Sequence, residues 1–184
     1  GYDEKYLMVE EDIQISQGQP AVERVIRYDA KPCVREGKII NGKIVVKGEM
    51  SVWILYCPDD KGAPQSVKTV IPFSQIVDME GVTDSCECET KSCVAFLEIK
   101  PRSSEGAAKC FSLSAKLLIT CEAFCGNDVS VILDAFSRKY QTDMKCDDIC
   151  FENICDTVSE VFHCKKNIEL DEPISSVADL WCDI

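Results

Sequence analysis

Lys38-Ile-Ile-Asn41-Gly42-Lys43-Ile-Val-Val-Lys-Gly48-Glu-Met-Ser-Val-Trp53-Ile-Leu-Tyr-Cys57 is the stretch whose reading decides the fold. An Asn-Gly pair between β-branched runs predicts a two-residue type I′ turn, because both central residues need positive φ and these two tolerate it. The arm after the turn alternates. Ile44, Val46, Gly48, Met50, Val52, Ile54 and Tyr56 share one side, and Val45, Lys47, Glu49, Ser51, Trp53, Leu55 and Cys57 share the other. Such an arm extends roughly 50 Å, long for one flat strand, so Gly48 is the expected place for a bulge or bend. The hairpin reads as scaffold and carries no catalytic group.

Working outward, residues 6–15 read as a strand stopped by Ser16-Gln-Gly-Gln-Pro20. Residues 21–28 place Val22, Val25 and Ile26 at helical spacing, which predicts a short helical turn. Pro32 then returns the chain to extended form. Downstream, Pro58-Asp-Asp-Lys-Gly-Ala-Pro64 is a turn, and Val67, Thr69, Ile71 and Phe73 alternate as a returning strand that Pro72 assigns to a sheet edge. Residues 86–99 alternate with Cys86, Cys88, Thr90, Ser92, Val94 and Phe96 on one side. Residues 110–125 form another strand with Phe111, Leu113, Ala115, Leu117, Ile119, Cys121 and Ala123 in its apolar row. The expected fold is mainly β: an antiparallel meander closed into a sandwich or open barrel, with one or two short helical turns. Residues 129–140 lean to strand, and 149–164 fit either period. The expected divisions are 1–33, an opening strand and helical turn; 34–125, the β domain; and 126–184, a C-terminal segment. Residues 161–170 followed by Pro173 echo residues 6–15 followed by Pro20, so the segment is read as the opening of a second repeat.

Twenty basic and thirty-two acidic residues set the net charge at −12 and the pI near 4.5. That sign repels phosphate backbones and anionic lipid, which argues against nucleic acid and membrane insertion. Residues 143–184 hold eleven Asp or Glu and three Lys. Either a solvated acidic face or a partner with a basic face accounts for this tail. No apolar run approaches the ~20 residues of a membrane helix and no signal peptide opens the sequence, so a cytoplasmic location is expected.

Thirteen cysteines are many, but they lack the paired CxxC knuckles of structural zinc. Free, buried thiols in a reducing compartment are the expectation, with metal binding and disulfides as alternatives. His163 is the single histidine and its neighbour Cys164 faces away from it on an extended chain, so a Cys-His nucleophile is not expected. The paired carboxylates Asp59-Asp60 and Asp147-Asp148 sit where turns use Asp. Nucleotide, zinc-protease and serine-hydrolase motifs are lacking, and the expectation is no enzyme, no cofactor and no metal. Trp53 reads as core; exposed, it would serve as a protein hot spot or a sugar platform.

The run Gly42-Lys-Ile-Val-Val-Lys-Gly-Glu-Met-Ser-Val-Trp-Ile-Leu-Tyr56, then Ile71-Pro-Phe73-Ser and Asp78-Met-Glu-Gly81-Val, resembles the SPOCS domain of spore-coat-associated proteins of endospore-forming Firmicutes. The resemblance spans about residues 34–122. It implies a non-catalytic, cytoplasmic assembly domain acting on the mother-cell side of the forespore surface. Its implied partner is a protein, a spore coat morphogenetic ATPase. The family implies no catalytic residue. Relatives often carry a neighbouring LysM domain, which this sequence lacks, and this leaves a glycan- or peptidoglycan-binding β module as the alternative. The residues expected to meet the partner are Asp147, Asp148, Glu152 and Trp53.

Overall fold

The computed structural model describes the chain apart from residues 104, 105, 107, 142, 146, 149, 151–157, 159, 176, 178, 179 and 181–184. Six strands follow in order: β1 (Tyr2–Gln14), β2 (Val22–Ile40), β3 (Lys43–Pro58), β4 (Gln65–Asp78), β5 (Glu87–Arg102) and β6 (Cys110–Phe124). They form two three-stranded antiparallel sheets, ordered β1-β6-β5 and β2-β3-β4. The predicted mainly-β architecture is thus a sandwich rather than a closed barrel. The meander holds for β2-β3-β4, but the chain changes sheets between β4 and β5, and β1 returns to pair with β6.

The hairpin forms as its sequence demands. Asn41 (φ 51°) and Gly42 (φ 74°) both occupy the left-handed region that a type I′ turn requires. One side of β3, from Ile44 to Tyr56, is wholly buried, and it faces the equally buried Phe111, Leu113, Ala115, Leu117, Ile119 and Cys121 of β6. Two central strands thus supply the heart of the core. Tyr56 and Phe111 meet edge to face at 5.7 Å, and the Tyr56 hydroxyl donates to the Pro20 carbonyl at 3.1 Å, so the polar atom of this large buried side chain is satisfied.

Gly48 has a different use from the one expected. The bulge lies across from it on β2, between Val34 and Glu36, while Gly48 itself pairs with Phe73 of β4. A Cβ at Gly48 would lie 2.3 Å from Phe73 Cζ and 2.6 Å from the Cys33 carbonyl, so the ring occupies the space a side chain would take.

Residues 22–28 are strand, not a helical turn. Register shifts between Val22 and Arg24 and between Val25 and Arg27 each insert one residue into β2. Val22, Val25 and Tyr28 therefore oppose Pro58, Tyr56 and Ile54, and a spacing of three on β2 matches a spacing of two on β3. Two bulges imitated a helix period. No helix occurs among the described residues.

Pro72 sits, as expected, on an edge strand, β4. Along one flank of the sandwich β2 approaches β5 so closely that a Cβ on Gly37 would come within 2.6 Å of Thr90 Oγ1. Along the other flank β1 lies near β4, where Lys5 Nζ donates to the Ile76 carbonyl at 3.0 Å.

The strands lie within the compact unit that holds Gly1–Gly126, and Asn127–Ser176 form a second unit. Residues 129–140 are not a strand, contrary to expectation. Ile132, Leu133 and Phe136 are each more than four-fifths exposed, so this stretch has no partner sheet on which to bury an alternating face. Residues 161–170, which echo the sequence of β1, likewise have no strand assignment.

Candidate interaction surfaces

The strand register sorts the solvent-facing side chains of each sheet into rows. On β1-β6-β5, Tyr6 stands beside Leu118 and Cys93, and Met8 beside Lys116 and Phe96. Tyr6, Met8 and Phe96 are each about half exposed, at 51%, 55% and 51%. Lys116 Nζ lies 4.0 Å from the Tyr6 ring centroid, a cation–π contact. Glu4 and Glu122 lie beyond Tyr6, and Glu10 and Glu98 beyond Met8 and Phe96, while Lys91, Lys100 and Arg102 on the same face pair with Glu89, Glu98 and Asp12.

Phe96 joins this patch through a bulge. Strict alternation assigns it to the same side as Val94, but the register slips between them, so Val94 opposes Leu117 and Phe96 opposes Lys116. Leu97 and Ile99 take the inward places beyond it.

On the outer face of β2-β3-β4 the sign reverses. Trp53 stands between Asp29 and Lys68, Leu55 between Arg27 and Ser66, Ser51 between Lys31 and Val70, and Cys57 beside Arg24. Trp53 therefore corrects the core reading: it is half-buried on an outer face. The far end of this face is internally compensated, with Arg35 3.1 Å from Glu49 and Glu36 bridged by Lys38 at 2.5 Å and Lys47 at 3.7 Å. Those lysines hold the Glu36 carboxyl below its ordinary range, the Lys38 hydrogen bond contributing most.

Asp147 and Asp148 are exposed within Asn127–Ser176, and Glu152 falls outside the described residues. His163 and Cys164 are exposed in the same unit.

The cysteines differ from expectation. Cys86 and Cys125, immediately before β5 and after β6, form a disulfide across the open end of that hairpin. Of the free cysteines among the described residues, Cys121 is buried, Cys57, Cys88 and Cys110 are half-buried, and Cys33, Cys93, Cys150 and Cys164 are exposed. Free thiols are thus the majority there, but most are not core. Burial pushes the Cys121 thiol up to about 11, with smaller contributions from Cys88 and Asp3. No group of three or more His, Cys, Asp or Glu suited to a metal ion occurs among the described residues.

A six-stranded antiparallel sandwich with two differently charged outer faces is the class of domain these observations define. Residues 21–101 match the family described as SipL, SPOCS domain, which bears out the resemblance carried by the hairpin and its sequel. The matched stretch takes in β2, β3, β4 and nearly all of β5, whereas β1 and β6, which complete the second sheet, lie outside it. No curated protein and no solved structure matches the chain.

Proposed function

We propose that this chain is a non-catalytic scaffold module in endospore coat or cortex assembly, binding a spore morphogenetic protein on the mother-cell, cytoplasmic side of the forespore. The family match supports a sporulation-related role. The observation that carries the interaction reading is the part of the β1–β4 flank beyond the Lys5–Ile76 contact. Each strand ends its sheet, and between them runs a groove lined by Glu11, Gln14, Val67, Thr69 and Pro72. An edge strand offers backbone donors and acceptors to an added strand, a recurring way for a sheet to take up an extended peptide. Asp147, Asp148 and Glu152 add an acidic element that speeds encounter with a basic partner. Residues 161–170, with their echo of β1, are the start of a further module in this reading.

The test is capture of a purified spore coat morphogenetic ATPase by the purified chain, run beside sedimentation with peptidoglycan. Saturable capture of the protein, slowed by Asp147→Lys with Asp148→Lys and Glu152→Lys, is the expected result. Binding to peptidoglycan with no binding to the ATPase overturns the scaffold reading in favour of the wall-binding one.

A further inference from the structure

The two sulfurs of the Cys86–Cys125 bridge stand in different surroundings. Cys86 is 8% exposed, whereas Cys125 is exposed and is followed by Gly126, where nothing stands within 4 Å of the place a Cβ would take. One sulfur is thus open to a reagent from solvent and the other is not. The buried sulfur is also the one that hydrogen-bond donors face. The Thr83 amide donates to Cys86 Sγ at 3.2 Å, and Thr83 Oγ1 lies 3.4 Å from the same sulfur. A bridged sulfur carries no proton, so the Thr83 hydroxyl is the donor in that contact. Ser85 Oγ, 2.8 Å from Thr83 Oγ1, can supply that oxygen with a proton and leave the Thr83 proton for sulfur. The Cys86 amide closes this turn on the Thr83 carbonyl at 2.9 Å and holds the donors in place. The exposed sulfur has the Gly81 carbonyl 3.9 Å away, which is an acceptor and gives no support to a thiolate.

We propose that this bridge is a thiol-operated clasp, opened by attack of a small aliphatic thiol on Cys125 with Cys86 as the leaving group. The thiolate forms a bond to Cys125 Sγ, the Cys86–Cys125 bond breaks, and its electron pair departs on Cys86 Sγ. A second thiolate attacks the sulfur of the bound thiol, expels Cys125 as a thiolate and forms the small disulfide. Two small thiols are thereby oxidised and the bridge is reduced, with water supplying protons to the two cysteines. Exchange runs faster when the departing thiolate is better stabilised. Burial disfavours a charge on Cys86, and the two Thr83 donors, already aimed at that sulfur, offset the penalty. Attack in the other sense has to reach a buried sulfur and expel a thiolate that lacks such donors. The bridge joins the residue before β5 to the residue after β6, where the chain leaves the sandwich. Opening it is local. Ala123 stays bonded to Gly1, its amide to the Gly1 carbonyl at 2.8 Å and its carbonyl to the terminal ammonium at 2.6 Å, and the β5–β6 ladder still starts at Glu87 and Phe124. The clasp therefore governs the exit of the chain from β6 and leaves the core intact.

The test treats the purified, air-oxidised 184-residue chain with 2-mercaptoethanol, traps the released thiols with N-ethylmaleimide and reads the peptides by mass spectrometry. The expected first product carries mercaptoethanol on Cys125 and maleimide on Cys86, at least ~10-fold over the reverse arrangement. Equal amounts of the two, or an excess of the reverse, overturns the proposal. A Cys88–Cys125 bridge in the product overturns it also, because an internal thiol is then the nucleophile. So does an oxidised chain in which Cys86 and Cys125 are both free. Thr83→Val removes the hydroxyl donor at nearly constant shape and is expected to slow cleavage about fivefold, and Thr83→Ser to restore it. An unchanged rate in Thr83→Val overturns the part assigned to that hydroxyl. Should Thr83→Val not fold, the adduct ratio in wild type decides alone. Hydrogen exchange separates a clasp from a staple: opening is expected to raise exchange over residues 84–88 and 123–126 and to leave 111–119 unchanged. A rise through 111–119 means that the bridge holds the core together and overturns the clasp. None of these outcomes involves a second protein, so they stand or fall apart from capture of a morphogenetic partner.

Discussion

The two sheets bury the same chemistry and show solvent opposite chemistry. Inward, β3 and β6 each present an unbroken row of buried residues, Ile44 to Tyr56 on one and Phe111 to Ala123 on the other. Outward, β1-β6-β5 carries half-exposed Tyr6, Met8 and Phe96 among glutamates, whereas β2-β3-β4 carries Trp53 among arginines and lysines. Packing requires the inward likeness, because an apolar face unmatched by another stays wet. Nothing in packing requires the outward difference. Net charge alone conceals it, since a strongly acidic total contains a basic sheet.

The sharpest contrast between inside and outside is chemical. At pH 8, iodoacetamide should label exposed Cys33 and Cys93 at least ~100-fold faster than buried Cys121, whose thiol is held near 11. Equal rates, read by mass spectrometry of peptides, would mean that β6 does not face the core. Next in size is loss of the core partner across the sheets. Phe111→Ala should destabilise by about 4 kcal/mol in urea unfolding, through lost transfer energy and the cavity left against Tyr56. A cost under about 1 kcal/mol would show that the two inner faces do not meet there.

Gly48→Ala tests the matching place on the other sheet. Its new methyl has to push Phe73 aside or strain the backbone beside the Cys33 carbonyl, at about 2 kcal/mol. Gly42→Val should cost about 1–2 kcal/mol, since a β-branched residue at φ 74° is strained whatever the space around it. An unchanged unfolding midpoint would move the turn elsewhere.

The smallest expected effect joins charge to pH. Lys43, hydrogen-bonded to Asp78 and 2.6 Å away, holds the Asp78 carboxyl below its ordinary range. A lowered folded-state value stabilises above the unfolded carboxylate range and is lost as pH falls through the folded value. Asp78→Asn should therefore lower the midpoint slightly at neutral pH, and the gap should close as pH falls below the ordinary carboxylate range. A gap that widens on acidification would reverse the assigned sign.

Much of this molecule is written in local sequence. The Asn41-Gly42 turn and the split of β3 into a buried and an outer row need only a turn's φ requirement and a strand's period of two. Pro72 on an edge strand needs only the missing amide donor. What the chain decided through tertiary structure lies where one residue is inserted or where partners are distant in sequence. The β2 bulges made residues 21–28 look helical, and the β5 slip turned Phe96 from core to surface; each depends on a ladder with another strand. The same holds for the Cys86–Cys125 bridge, which needs β5 and β6 paired before its two cysteines become neighbours. Trp53 was readable as lying on the second side of its strand, but whether that side faces core or water depends on which face the other sheet covers. Local periodicity sets which residues share a face, and only the long-range pairing of six strands sets which face is covered, because burial is a property of two surfaces meeting.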